Sequence, residues 1–152
     1  MSCWAASAAM LVGWRDSVPV HAEEVAAGAG HFAAYRSGLR PTDVFHLARA
    51  WRLVIEHQSP TSVASLRTLL EVSGPLWVGE ASPGLHSIVL VGLHGGGAPD
   101  DTWVRVNDPW PIDRGERYQI TVRSLFDHLA SAAALAGAHP QVLHSGGRRG
   151  RS

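Results

Sequence analysis

An α+β fold of two packed halves is what this sequence predicts, and three observations predict it. Apolar residues recur at helical spacing from the start to about Val72; the period changes to a β type between Leu76 and Val122; and Gly/Pro-rich turns separate the runs of that second part. Helices first and strands second give an N-terminal helical half packed on a C-terminal antiparallel β-sheet half. The 152 residues suffice for one domain with a single sizeable core.

The elements follow in order. Ser2 to about Trp14 reads as a helix of small and apolar residues, stopped at Gly13, with Ser2 suited to the N-cap and Cys3 to the first helical position. Pro19 to Ala27 carries a short helical pattern with Glu23 and Glu24 near its start, where acidic residues suit the dipole. Pro41 to Trp51 opens on a good first-turn residue and continues through Val44, Phe45, Leu47 and Ala48. Ser62 to Val72 is a further helix with Val63, Leu66, Leu69 and Leu70 on one side, ended by Ser73-Gly74-Pro75. Leu76–Glu80, His86–Leu93, Thr102–Asn107 and Arg117–Val122 read as strands, and a weaker run, Leu53–His57, as an edge strand. A helix from about Arg123 to Leu135 closes the domain, which is expected to span residues 1–136. Residues 137–152, ending in a Gly/Arg/Ser-rich stretch, read as a disordered tail.

Composition narrows the function classes. Formal net charge is zero with histidine neutral, so no field recruits nucleic acid or an anionic membrane. Every basic residue is arginine, a bias shared with the abundant alanine and glycine and best read as genomic. A single cysteine excludes an intramolecular disulfide and any zinc site built on several thiolates. The nine histidines are scattered, with no pair at the spacing of a His-Glu-x-x-His helix, so neither metal nor other cofactor is expected. The apolar run Ala5–Val12 lacks a preceding basic segment and is too short to span a bilayer; no targeting signal is evident, which suits a cytoplasmic protein or one exported by a signal-less route. No motif speaks to oligomeric state. His94-Gly95-Gly96-Gly97 lacks the lysine and helix of a phosphate loop and reads as a hairpin, Asp100-Asp101 as a solvated turn, and Trp14, Trp51, Trp77 and Trp103 mostly as core.

Cys3 is the residue with chemical potential. A thiol at a helix N-terminus meets orphan N–H groups and the positive end of the dipole, which favour the thiolate. A nearby histidine would complete an ion pair and protonate a leaving group, and a carboxylate or amide on the far ring nitrogen would fix its tautomer.

Three segments supply such partners. Ser2-Cys3-Trp4-Ala5 resembles the start of the central helix in papain-like cysteine proteases. Leu85-His86-Ser87-Ile88-Val89-Leu90-Val91-Gly92 resembles their histidine strand. Val104-Arg105-Val106-Asn107-Asp108-Pro109-Trp110 resembles their third motif, an Asn or Asp two residues before a tryptophan. Gly74-Pro75-Leu76-Trp77 and Asn107-Asp108-Pro109-Trp110 are similar to the small bacterial branch of avirulence-effector, staphopain-like proteases. Each segment alone is weak; three in the family's order, from Ser2 to about Leu129, are strong together.

The resemblance implies a papain-like two-lobed fold and a Cys-His-Asp triad of Cys3, His86 and Asp108 that hydrolyses peptide bonds in a protein or peptide substrate through a thioester acyl-enzyme, with Ser2, Trp4 and Trp110 supporting the site. Asn107 is the alternative orienter of His86. Adjacent strand residues point to opposite faces, so only one of the two reaches the imidazole, and Asp108 is the one in phase with Val104 and Val106. Trp110 is expected to shield the histidine–carboxylate bond. One departure stands out. The family's oxyanion glutamine lies several residues before the cysteine, beyond Met1, so either the chain is truncated at its N-terminus or the domain is a catalytically impaired binding module. Loss of one oxyanion donor costs roughly 100- to 1,000-fold in rate. A cysteine acyltransferase or amidase on the same scaffold is the other alternative.

Overall fold

The computed structural model of the protein describes residues 2–31, 33–79, 86–136 and 142–148. Among the described residues six helices and six strands run in the order α1 (Cys3–Asp16), α2 (Ala22–Gly28), α3 (Ala34–Ser37), α4 (Val44–Trp51), β1 (Val54–Glu56), α5 (Val63–Ser73), β2 (Leu76–Gly79), β3 (Ser87–Gly95), β4 (Thr102–Asp108), β5 (Glu116–Thr121), α6 (Val122–Ala136) and β6 (Val142–His144), of which the short α3 and β6 were not expected from the sequence. A 3₁₀ turn at Pro41–Asp43 leads into α4. Among the described residues, no helix is long and apolar enough to cross a membrane.

Helix α1 runs past Gly13, where the sequence predicted its end, and stops at Ser17 in the left-handed conformation (φ 56°). Tertiary anchoring holds this extra turn. Arg15 is buried, donates to the Trp51 carbonyl at 2.7 Å and pairs with Asp16 at 2.8 Å. Ser2 is the N-cap residue, but its side chain makes no capping hydrogen bond. Ser62 caps α5 instead in a reciprocal box with Ser65, which satisfies two first-turn donors.

The strands form one antiparallel sheet in the order β1-β6-β2-β3-β4-β5. Strand alternation gives it two apolar faces. Trp77, Val89 and Leu143 face the helical half, where they pack with Trp4, Ala8, Leu11, Val25 and Leu47. Leu76, Val78, Ile88, Leu90, Val104, Val106 and Val142 face the other way and pack with Leu66, Leu125 and Leu129 of α5 and α6. The helical half thus packs on a sheet whose far face two later helices cover.

The expectation of a disordered tail over residues 137–152 fails at Val142–His144. This segment is a buried strand, inserted between β1 and β2 rather than added at an edge. Among the described residues Val54 to Glu56 therefore joins the sheet through β6 alone, and His144 Nε2 is 2.7 Å from Glu56 Oε1 across that pair. A run of three residues is too short to announce itself by periodicity. Residues 137–141 and 149–152 lie outside the described set, as does the end of the strand expected to reach Glu80. Trp103, expected in the core, sits on the outer face of β4 and is 41% exposed.

Candidate active site

Three elements meet at one end of the sheet: the start of α1, the start of β3 and the end of β4. Helix α1 is pinned there by buried side chains. Ser7 Oγ donates to the Ser87 carbonyl at 3.1 Å, Trp77 Nε1 donates to the Trp4 carbonyl at 3.1 Å, and Trp4 Nε1 donates to the Ala34 carbonyl at 3.1 Å. Trp4 itself is fully buried, so the residue after Cys3 serves as the core anchor of the helix start.

Cys3 opens α1 and is buried. His86 immediately precedes β3, and its Nε2 lies 2.9 Å from Asp108 Oδ1 and 3.0 Å from Oδ2. The β3–β4 register explains why Asp108 rather than Asn107 is the partner. Val89 pairs with Asn107, so one step further along the ladder Asp108 falls opposite Ile88, on the same face as His86 and diagonal to it. Asn107 shares the alternate face with Trp103 and Arg105.

The carboxylate is itself held. The Trp110 backbone N–H donates to Asp108 Oδ1 at 2.9 Å, and the Tyr118 hydroxyl donates to Oδ2 at 3.1 Å. Tyr118 pairs with Val106 on the neighbouring strand, which puts it diagonal to Asp108 on the same face. The sequence reading missed it, because its signal exists only once the β4–β5 register is known. The Trp110 ring was expected to cover the histidine–carboxylate bond; it is half exposed, and the contact Trp110 makes with Asp108 is through its main chain.

With Nε2 facing Asp108, Nδ1 is the ring nitrogen left for Cys3, and the thiol and imidazole are hydrogen-bonded. Burial is the largest single influence on Cys3 and pushes its pKa up. It is outweighed by the hydrogen bond from His86, the Ser87 backbone N–H, the imidazolium charge and the Ser87 hydroxyl, so the thiol is net lowered from 9.0. His86 is raised from 6.5 to about 9, first by the hydrogen bond to Cys3, against desolvation, and then by the hydrogen bond to Asp108 and the charges of both partners. Each residue stabilises the charged form of the other. Ser87 Oγ is buried with no hydrogen-bond partner among the described residues. Beside Asp108 a cavity of about 640 Å³ opens, bordered by Met10, Asn107, Arg114, Glu116 and Arg117.

A family described as papain-like cysteine protease AvrRpt2 matches residues 1–130, a span that contains all three of these residues. The chain belongs to this family. For this AvrRpt2-family chain the helical half on an antiparallel sheet is the papain-like arrangement, and the family implies a protein substrate. No curated protein matches the chain at a significant level.

Outside this end of the sheet, the fold gathers His31, Asp43 and His46 on the helical half. No spacing rule flagged them, because His31 comes from the loop after α2 and the other two from the start of α4.

Proposed function

We propose that the chain is a cysteine endopeptidase in which Cys3 is the nucleophile, His86 the acid and base, and Asp108 the group that orients His86. The observation that carries this reading is the continuous contact from the Cys3 thiol through the His86 ring to both oxygens of Asp108. The thiolate attacks the peptide carbonyl carbon, and the oxyanion that forms accepts hydrogen bonds, the first from the Cys3 backbone N–H, which has no intrahelical acceptor at that position. As the C–N bond breaks, His86 Nδ1–H passes its proton to the leaving amine, and a thioester remains on Cys3. Neutral His86 then takes a proton from water; the hydroxide adds to the thioester carbon, the C–S bond breaks, and the acid product leaves the thiolate restored. Asp108 holds the Nε2–H tautomer throughout and stabilises the imidazolium.

The test is cleavage of a peptide library by the protein, by Cys3→Ala and by His86→Ala. The reading predicts peptide products from the parent and a loss of roughly 10²–10⁴-fold or more in both variants. Cleavage that persists in Cys3→Ala overturns it. Stable binding of peptides without products favours an impaired binding module, and products appearing only as adducts of an added amine favour an acyltransferase.

A further inference from the structure

We propose that His31, Asp43 and His46 bind a zinc-class divalent metal ion on the helical half, away from the thiol and its partners. The His31 Nε2 and His46 Nδ1 atoms are 3.2 Å apart, with the two rings within 14° of parallel. His46 Nδ1 is 3.8 Å from Asp43 Oδ1, and the three ligand atoms all lie within 4.8 Å of one another. A tetrahedral ion with metal–nitrogen bonds of roughly 2.0–2.1 Å sets its ligand nitrogens about 3.3–3.4 Å apart. The histidine pair, at 3.2 Å, is already close to that separation. His46 is the exposed member, with 64% of its side chain accessible, so it can turn to close the longer edges without disturbing the core.

The donor set is selective. Two imidazoles and one carboxylate suit Zn²⁺, Co²⁺, Ni²⁺ or Cu²⁺ rather than Mg²⁺ or Ca²⁺, which take oxygen ligands. Three protein ligands leave a fourth position for water. The carboxylate is already oriented: Asp43 is buried, and Arg40 Nε donates to its Oδ2 at 2.8 Å, which leaves Oδ1 turned to His46. Arg40 also reaches Oδ1, at 3.5 Å; its side chain is 79% exposed and is free to withdraw to solvent from this weaker contact when a cation arrives. A carboxylate ligand held by a hydrogen bond on its second oxygen is a common outer-shell arrangement.

An ion here would tie the loop after α2 to the first turn of α4. Both elements help to enclose α1: Trp51 Nε1 donates to the Val25 carbonyl at 2.9 Å, and Val25, Ala26, Val44 and Leu47 share a core with Trp4 and Ala8. The site is therefore a clip on the helices that pack around α1, the helix that carries Cys3.

The test is Co²⁺ titration followed spectroscopically, with Zn²⁺ competition, on the full chain carrying Cys3→Ala to remove the thiolate as a rival ligand. The expected result is one equivalent of cobalt with a tetrahedral-type visible spectrum, displaced by zinc, and a Tm that rises with zinc. His46→Ala and His31→Ala should each weaken binding by about 100-fold or more, beyond the 10- to 100-fold typical of outer-shell changes. His46 is exposed, so its variant should keep the metal-free Tm of the parent. The absence of saturable binding up to millimolar metal overturns the proposal. So does binding that either variant leaves unchanged, since the ion would then sit elsewhere.

Discussion

Asp108 meets His86 with both carboxylate oxygens, at 2.9 and 3.0 Å from Nε2, and each oxygen has a second donor, the Trp110 amide on Oδ1 and the Tyr118 hydroxyl on Oδ2. A carboxylate tied from three directions cannot swing, so the imidazole it holds is fixed in tautomer and direction. The order of dependence runs from Tyr118 and Trp110 to Asp108, from Asp108 to His86, and from His86 to the thiol.

Asp108→Ala removes the acceptor on Nε2 and should lower kcat/KM by at least about 100-fold. Asp108→Asn keeps an acceptor and exchanges a charge-assisted bond for a neutral one, at about 1 kcal/mol or roughly fivefold. Asn107→Ala, on the alternate face, should leave the rate near that of the parent. Steady-state kinetics on the three variants separate the two neighbours.

Tyr118→Phe deletes the hydrogen bond that the Tyr118 hydroxyl donates to Asp108. Its hydroxyl is near the surface, so water replaces part of the bond, and the expected loss is about 1 kcal/mol, or roughly fivefold in kcat with KM unchanged. A purely structural role would lower Tm without that split between kcat and KM.

Stability should fall on the alkaline side. The folded pKa of His86 lies above its unfolded value of 6.5, at about 9, so the contribution is fully present below pH 6.5 and is lost as pH rises through about 9. Thermal unfolding between pH 6 and 10 should show a decline in Tm across this window that is shallower in His86→Ala.

Strand β6 supports the sheet from within. A chain ending at Ala136 would leave β1 without its strand partner among the described residues and open the space filled by fully buried Leu143. Leu143→Ala should cost about 2–5 kcal/mol, read by denaturant unfolding, whereas a free tail would tolerate it.

Sequence periodicity sufficed for the long elements and for the helix that presents Cys3, because a buried stripe must repeat along a helix or strand. Three segments that resemble the family's motifs then pointed to Cys3, His86 and Asp108. What escaped was set by distant partners. Tyr118 depends on register, β6 on two strands from far upstream, and the His31–Asp43–His46 group on the packing of a loop against α4. The run of α1 past Gly13 has the same origin, in the Arg15 bonds to the end of α4 and to Asp16.

The most direct measurement is the pH dependence of iodoacetamide alkylation, for the parent and for His86→Ala. The chain has one cysteine, so the label reports on Cys3 alone. A thiol–imidazole pair predicts an apparent thiol pKa in the parent below the free-cysteine value of about 8.5 that moves upward when His86 is removed. The same titration curve in both proteins would contradict the pair, and with it the assignment of Cys3 as an activated nucleophile.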